Sequence, residues 1–418
     1  VSNVAETRSG GRNASVRDSG LAGRPAAKGY WQLVAAGEPF RLLFPIGALL
    51  GIAGVMMWPL YAWNVTHMYP GPLHPRVMME GFIGCFVVGF LGTALPRLLG
   101  VPRVSIYETA GFGAALVWAA WLHFSGRTLW GDLTFFCTML MFVFFLGVRT
   151  LFRQDTPPPA FVLVAMGLLS ALAGSFGLAA SHVAPGLFPP WAMPFAKLLL
   201  FQGFILLPIM GIGAFLLPRF FGLPNRQSFP ESLALPPGWK LRAAFAAMCG
   251  MAVVASFALQ VAGFMRWSYT LRAFAILVYF FREVPVHQAG FGGGSLALSL
   301  RIALFAIPAG YILLALMPER ASTFLHVVFI TGFSLLTFTV ASRVALGHSG
   351  QSDKFRATLW PVLVLCALIS LAMLTRVTAD WLPKVQMDHY VYAAIAWISG
   401  VLVWAVFILP GVAKADEA

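Results

Sequence analysis

Charged side chains are scarce in this chain: Asp, Glu, Lys and Arg together make up 10% of its 418 residues. A soluble domain carries roughly 25%. With 59% of positions hydrophobic, too few polar groups remain to cover a water-facing surface. That excludes a soluble globular protein and makes lipid the solvent for much of the chain. Cysteine is sparse as well. Cys85, Cys137, Cys249 and Cys366 all fall inside apolar runs, and no Cys-x-x-Cys pair occurs. A disulfide framework, a thiolate metal site and covalent haem attachment are therefore not indicated. No G-x-x-x-x-G-K-[ST] is present, and the run Gly292 to Gly294 lacks the lysine of a phosphate-cradling loop. No single apolar run holds a pair of carboxylates, which argues against a proton-coupled transporter. Net charge is +13, but the basic residues sit at the ends of apolar segments and not on one face, so nucleic acid is not expected as a partner.

What the chain does contain is apolar runs long enough to cross a bilayer, with 37 Phe and 13 Trp to fill and anchor them. Twelve candidates lie near 41–62, 77–99, 104–124, 130–151, 160–181, 195–221, 241–264, 268–282, 295–317, 323–347, 358–377 and 388–411. The eighth is the shortest and carries Arg272. Twelve crossings place nineteen of the 28 basic residues on one side and eight on the other, with Arg301 inside a span. By the positive-inside rule both termini are then cytoplasmic; the bacterial inner (cytoplasmic) membrane, crossed many times, is the expected location. Residues 1–38 are expected to be a disordered basic cytoplasmic tail, since Val1 to Lys28 lack large apolar residues and the apolar core of a secretory signal. Residues 39–413 are expected to form one transmembrane domain, and 414–418 a short cytoplasmic tail.

An internal repeat organises the spans. The second ends Leu95-Pro96-Arg97-Leu98-Leu99-Gly100-Val101-Pro102 and the sixth Leu217-Pro218-Arg219-Phe220-Phe221-Gly222-Leu223-Pro224, sharing L-P-R-x-x-G-x-P. The tenth ends in a looser copy, Ser342-Arg343-Val344-Ala345-Leu346-Gly347. Arg97 and Arg219 are 122 residues apart, and Arg219 and Arg343 are 124 apart. Any one copy is explained by an Arg capping the carbonyl end of a helix before a left-handed Gly. Its recurrence every four spans predicts three four-helix repeats, near 39–155, 156–290 and 291–413. This plan is similar to the pseudo-threefold array of haem–copper oxidase subunit I, a parallel of architecture only.

Ionisable groups inside spans are costly and mark function by default. Seventeen residues before each repeated Arg stand Glu80, Gln202 and His326, three polar groups at matching depth that either ring a central site or satisfy local backbone gaps. Imidazole is the usual axial ligand of haem and a common copper ligand. His74 and His326 open repeat-related helices and are the candidate ligands. His67, His123, His182 and His389 read individually as helix-end surface residues, and His348 as a cap in the polar loop Gly347-His348-Ser349-Gly350. Arg301 requires an anionic or carbonyl partner.

The run Leu73-His74-Pro75-Arg76-Val77-Met78-Met79-Glu80-Gly81-Phe82, continuing to Gly89-Phe90-Leu91-Gly92-Thr93-Ala94-Leu95-Pro96, resembles the W-H-x-H-E-x-x-x-G-[FY] and G-F-L-x-T-A-x-P patterns of the NnrS family. Leu325-His326 followed by Ala341-Ser342-Arg343-Val344-Ala345-Leu346-Gly347-His348-Ser349-Gly350 is similar to that family's L-H-A-L-T-x-G and M-T-R-x-x-L-G-H-[ST]-G. Pro39-Phe40-Arg41 fits its P-F-R opening. Departures occur at Leu73, Arg76 and Val77, and Arg301 stands where the ninth span usually offers a His. The resemblance implies a polytopic haem- and copper-containing membrane protein linked to nitric oxide metabolism and nitrosative stress. It implies b-type haem held by His74 and His326 with Glu80 nearby, and metal contacts from His74, His326 and His348. Nitric oxide or another small gas would be the ligand, and a respiratory partner or a second copy the neighbour. A small-solute or metal transporter, or a non-catalytic subunit of a respiratory complex, is the alternative that the residues leave open.

Overall fold

The computed structural model describes residues 29–184, 186–290 and 292–415, and over these every regular element is helical. Ten helices are long and apolar enough to cross a membrane. In chain order the long helices are α1 Phe40–Ala62, α2 His74–Leu99, α3 Ile106–Phe124, α4 Thr128–Thr150, α5 Phe161–Val183, α6 Ala192–Phe221, α7 Trp239–Val261, α8 Met265–Glu283, α9 Gly294–Leu316, α10 Pro318–Gly347, α11 Trp360–Ala379 and α12 Pro383–Ala413. The two outside the ten are α3 and α8, at 19 residues each. The segment expected to be weakest is α8, where Arg272 interrupts the apolar run.

Neighbour relations recur along the chain. α1 packs on α2 and α3, α5 on α6 and α7, and α9 on α10 and α11, while α3–α4, α7–α8 and α11–α12 form antiparallel pairs. α4 lies against α5, α8 against α9, and α12 returns to α1, so the helices close a ring. α2, α6 and α10 meet at the centre, where Phe86, Ile209 and Val340 line one space; α6 is the most buried at 83%, α2, α9 and α10 follow at 67%, and α7 and α11 are at 33%. Each inner helix is opened by a wide π turn, at Val77–Ile83, Leu199–Gly203 and Val327–Ser334. Such turns are rare and concentrate at functional sites. The repeated L-P-R-x-x-G-x-P ends as expected, with Gly100 at φ 62° and Gly222 at φ 69° in the left-handed conformation. In the looser third copy that turn shifts to Gly350, at φ 70°.

The outer surface is apolar, and exposed Trp63, Trp130, Trp191, Trp267 and Trp381 all lie at helix ends away from the N-terminal end of α1. Trp118 stacks on Trp121 at 4.6 Å near the same level. A belt of indoles at one level is how membrane helices meet the lipid headgroups.

Of the segment expected as a tail, 1–38, the structure describes only the end. Residues 1–28 lie outside the described residues, but Tyr30–Ala35 is already helical, with Leu33 and Val34 buried. The Tyr30 hydroxyl donates to the Arg41 carbonyl at 3.0 Å. The run Tyr30-Trp31-Gln32-Leu33-Val34-Ala35 follows the last basic residue of the stretch, Lys28, and supplies the apolar side chains that are buried.

Arg41 closes the ring at the end bearing the termini. Only 1% exposed, it pairs with Glu38 and donates to the carbonyls of Val412 at 2.6 Å, Lys414 at 2.8 Å and His348 at 3.0 Å. Glu38 also pairs with Arg97 and lies 3.2 Å from His348 Nδ1. Burial works against the Glu38 charge, yet hydrogen bonds from His348 and Arg41 outweigh it and hold the carboxyl at about 2. Arg41→Met leaves three buried carbonyls without their donor and Glu38 with only Arg97 and His348, so it should cost about 3 kcal/mol, read as a lowered thermal midpoint in detergent; an unchanged midpoint would refute the tie. Because the folded value lies below that of a free glutamate, the Glu38 contribution is full above about pH 4.3 and disappears as pH falls through about 2. Acid titration of stability should therefore be shallower for Glu38→Gln than for the wild type, and coincident curves would contradict this.

Candidate functional site

Between α2, α6 and α10, towards the indole-bearing end, lies a cavity of about 620 Å³. Val55 and Trp58 of α1, Gln260 of α7, Arg376 of α11, and Tyr390 and Trp397 of α12 complete its wall. Most of the lining is apolar, with a few polar groups, the usual make-up of a small-molecule site of this size.

His74 and His326 both line it. The His74 Nδ1 lies 2.9 Å from the Gly54 carbonyl, and the His326 Nδ1 lies 2.6 Å from the Ser322 carbonyl. A carbonyl only accepts, so Nδ1 carries the proton in each ring, and Nε2 is left with a lone pair in the neutral imidazole. A backbone carbonyl on one nitrogen is how proteins orient a histidine that ligates through the other. Each ring stands ahead of a π turn, His74 at the first residue of α2 before Val77–Ile83 and His326 immediately before Val327–Ser334 in α10. Trp58 meets His74 edge to face, with ring centroids 6.1 Å apart.

The polar side of the cavity is cationic. Lys197 and Arg376 line it. Arg376 donates to Asp380 at 3.3 Å and to Ser322 at 3.2 Å, and lies 4.3 Å over the Tyr390 ring. Asp380 is kept below its ordinary value: burial opposes its charge, but the Thr323 hydroxyl and Arg376 more than compensate. Gln202 lines the cavity too, accepting from Arg272 at 2.6 Å and from the Tyr311 hydroxyl at 2.9 Å. Arg272 is fully buried and also donates to Gln260 at 2.9 Å and Ser256 at 2.9 Å, 4.5 Å over the Phe257 ring. Among the described residues it pairs with no carboxylate. Its partners are neutral oxygens and aromatic faces.

Of the three repeat-related polar groups, then, Gln202 and His326 line the cavity and Glu80 does not. Glu80 turns towards α3 and α4, where His123 Nε2 lies 2.8 Å from its Oε2. Asp132 completes that cluster and accepts from Arg76 Nε at 2.8 Å and Nη2 at 3.2 Å. Arg76 stands where the resembled motif has a histidine, and Asp132 neutralises it. Room for the His123 ring depends on Gly131, since a Cβ there would come within 2.3 Å of the imidazole.

His348 is not brought to His74 and His326. It lies at the opposite end, its Nδ1 within 3.2 Å of Glu38 and 3.1 Å of Arg97. Arg301 finds carbonyl partners, as its burial required, at Gly290 and Gly292, and sits 5.1 Å over the Phe221 ring. His182 reaches within 3.9 Å of Asp132. His123, read alone as a surface residue, is fully buried. A signal for it existed, because Asp132 is an acid one turn inside an apolar run that follows it closely. Arg376 and Trp58 carried no comparable mark.

Gly131→Ala should drive the His123 ring off Glu80 and destabilise the protein by about 1–3 kcal/mol; thermal unfolding indistinguishable from wild type would show that the ring has room to spare.

The model of one protein family, described as NnrS protein, matches residues 35–415, nearly the whole chain. The chain belongs to the NnrS family. No curated protein matches it.

Proposed function

We propose that this member of the NnrS family, a family linked to the nitric oxide response, binds b-type haem in the cavity between α2, α6 and α10. His74 and His326 would be the residues that hold it. The observation that carries this reading is the shared state of the two imidazoles. Both come from repeat-related inner helices, both line one apolar cavity, and both give Nδ1 to a backbone carbonyl so that Nε2 is free. The remaining lining fits a porphyrin. Phe82, Phe329, Phe333 and Trp397 offer flat apolar contact, and Lys197 and Arg376 offer partners for its carboxylates. When bound, the haem would supply an iron that can take a diatomic gas once one of the two imidazoles gives way. Nitric oxide is small and apolar, so it enters from the lipid and needs no polar channel.

The protein's own contribution is to hold two neutral imidazoles in one tautomer, to exclude water with aromatic rings, and to place positive charge at one edge. A role in nitric oxide metabolism or nitrosative stress follows from this gas site together with the family. Copper is a second metal that the family likeness suggests. His348 lies far from the cavity and next to two arginines, so it would serve any copper separately from the haem.

Protein purified from haem-replete cells should show a Soret band that shifts on adding nitric oxide. His74→Ala and His326→Ala should each strongly reduce it while leaving the purified protein monodisperse. A wild-type spectrum without a Soret band would refute the proposal.

A further inference from the structure

We propose that Glu80, His123 and Asp132 form a binding site for a divalent first-row transition-metal cation of the zinc type, separate from the central cavity. One ligating atom from each residue lies within 4.8 Å of the others, and all three side chains are fully buried. With both carboxylates ionised and His123 neutral, the charges do not balance without a further cation. Two carboxylates face a single guanidinium, that of Arg76, and leaving one negative charge unpaired away from water is costly. The hydrogen bonds are incomplete as well. Among the described residues Glu80 Oε1 and His123 Nδ1 are buried with no partner. Orphaned buried polar atoms are rare and call for an occupant.

The donor set selects the class of ion. Two carboxylates and an imidazole, with no sulfur, suit zinc and its first-row neighbours better than a soft monovalent ion. Arg76 takes one direction on each Asp132 oxygen, and a carboxylate has about four lone-pair sites in all, so Asp132 retains capacity for a metal. His182 supplies both an approach and a fourth donor. Its side chain is 41% exposed, and its Nε2 lies 3.9 Å from Asp132 Oδ2. Gly131 leaves the space in which the His123 ring sits. The four groups come from α2, α3, α4 and α5, so an ion here would join the first repeat to the start of the second.

The test uses the full chain in detergent, stripped with a chelator and titrated with Co²⁺ while d–d absorption is followed, then with Zn²⁺ and metal analysis. One Co²⁺ should bind per chain and be displaced by Zn²⁺. Glu80→Gln, which keeps the side-chain shape, should weaken binding by about 100-fold or more, because even outer-shell losses cost about 10–100-fold. His74→Ala and His326→Ala should bind Co²⁺ like the wild type, which separates this site from the proposed haem. In the wild type, Zn²⁺ should also raise the thermal midpoint in step with the logarithm of its concentration, a readout that does not depend on the variant folding. Absence of both d–d bands and Zn²⁺ stabilisation would mean that the cluster holds only a proton, overturning the proposal. Co²⁺ binding that survives Glu80→Gln would overturn it equally.

Discussion

Inside lipid, every polar group must find its partner within the protein, and that constraint shapes this molecule more than any single contact. Water cannot rescue a buried guanidinium or carboxylate there. Arg272 accordingly collects two glutamine oxygens, two serine hydroxyls and aromatic faces. Arg76 takes both oxygens of Asp132. The polar groups therefore gather at two levels, one near the first turns of the inner helices and one around Glu38 and Arg41 at the opposite end, and leave the space between to Phe86, Phe90, Ile209 and Val340. A cavity that is apolar over most of its wall and cationic at one edge is the outcome.

The repeats give the first of these levels its internal contrast. At the same place on α2, α6 and α10 the chain offers an acid, an amide and an imidazole. Around them the neighbours differ in charge: acidic Asp132 in the first unit, cationic Arg272 in the second, and the Arg376–Asp380 pair in the third. One architecture thus presents three different electrostatic surroundings. The central space inherits its imidazoles from the first and third units and an amide from the second.

Much of this was legible in the chain. The apolar runs marked the long helices, and L-P-R-x-x-G-x-P marked equivalent ends, because a left-handed glycine after a capping arginine is a local requirement. His74 and His326 were legible as polar residues in the early turns of apolar helices, although only His326 stands at the repeat position shared with Glu80 and Gln202. Which way Glu80 turned was not. It depends on Asp132 and His123, more than forty positions away, and on a π turn that changes which face the residue occupies. His348 was conspicuous in its motif, but its contacts with Glu38 and Arg97 lie across the fold and had no local sign. Arg376 reaches the cavity only because α11 packs beside α10, which no local pattern announces.

The Arg41 tie has a further consequence for how the protein is made. Its guanidinium waits on the carbonyl of Val412, 371 positions later. During synthesis the first helices enter the bilayer with that arginine and Glu38 engaged only with each other and with nearby groups. The ribosome must deliver nearly all of the remaining sequence before the circle can lock, so a nascent chain stalled partway is an open arc with an unsealed seam, a state that membrane quality control can recognise.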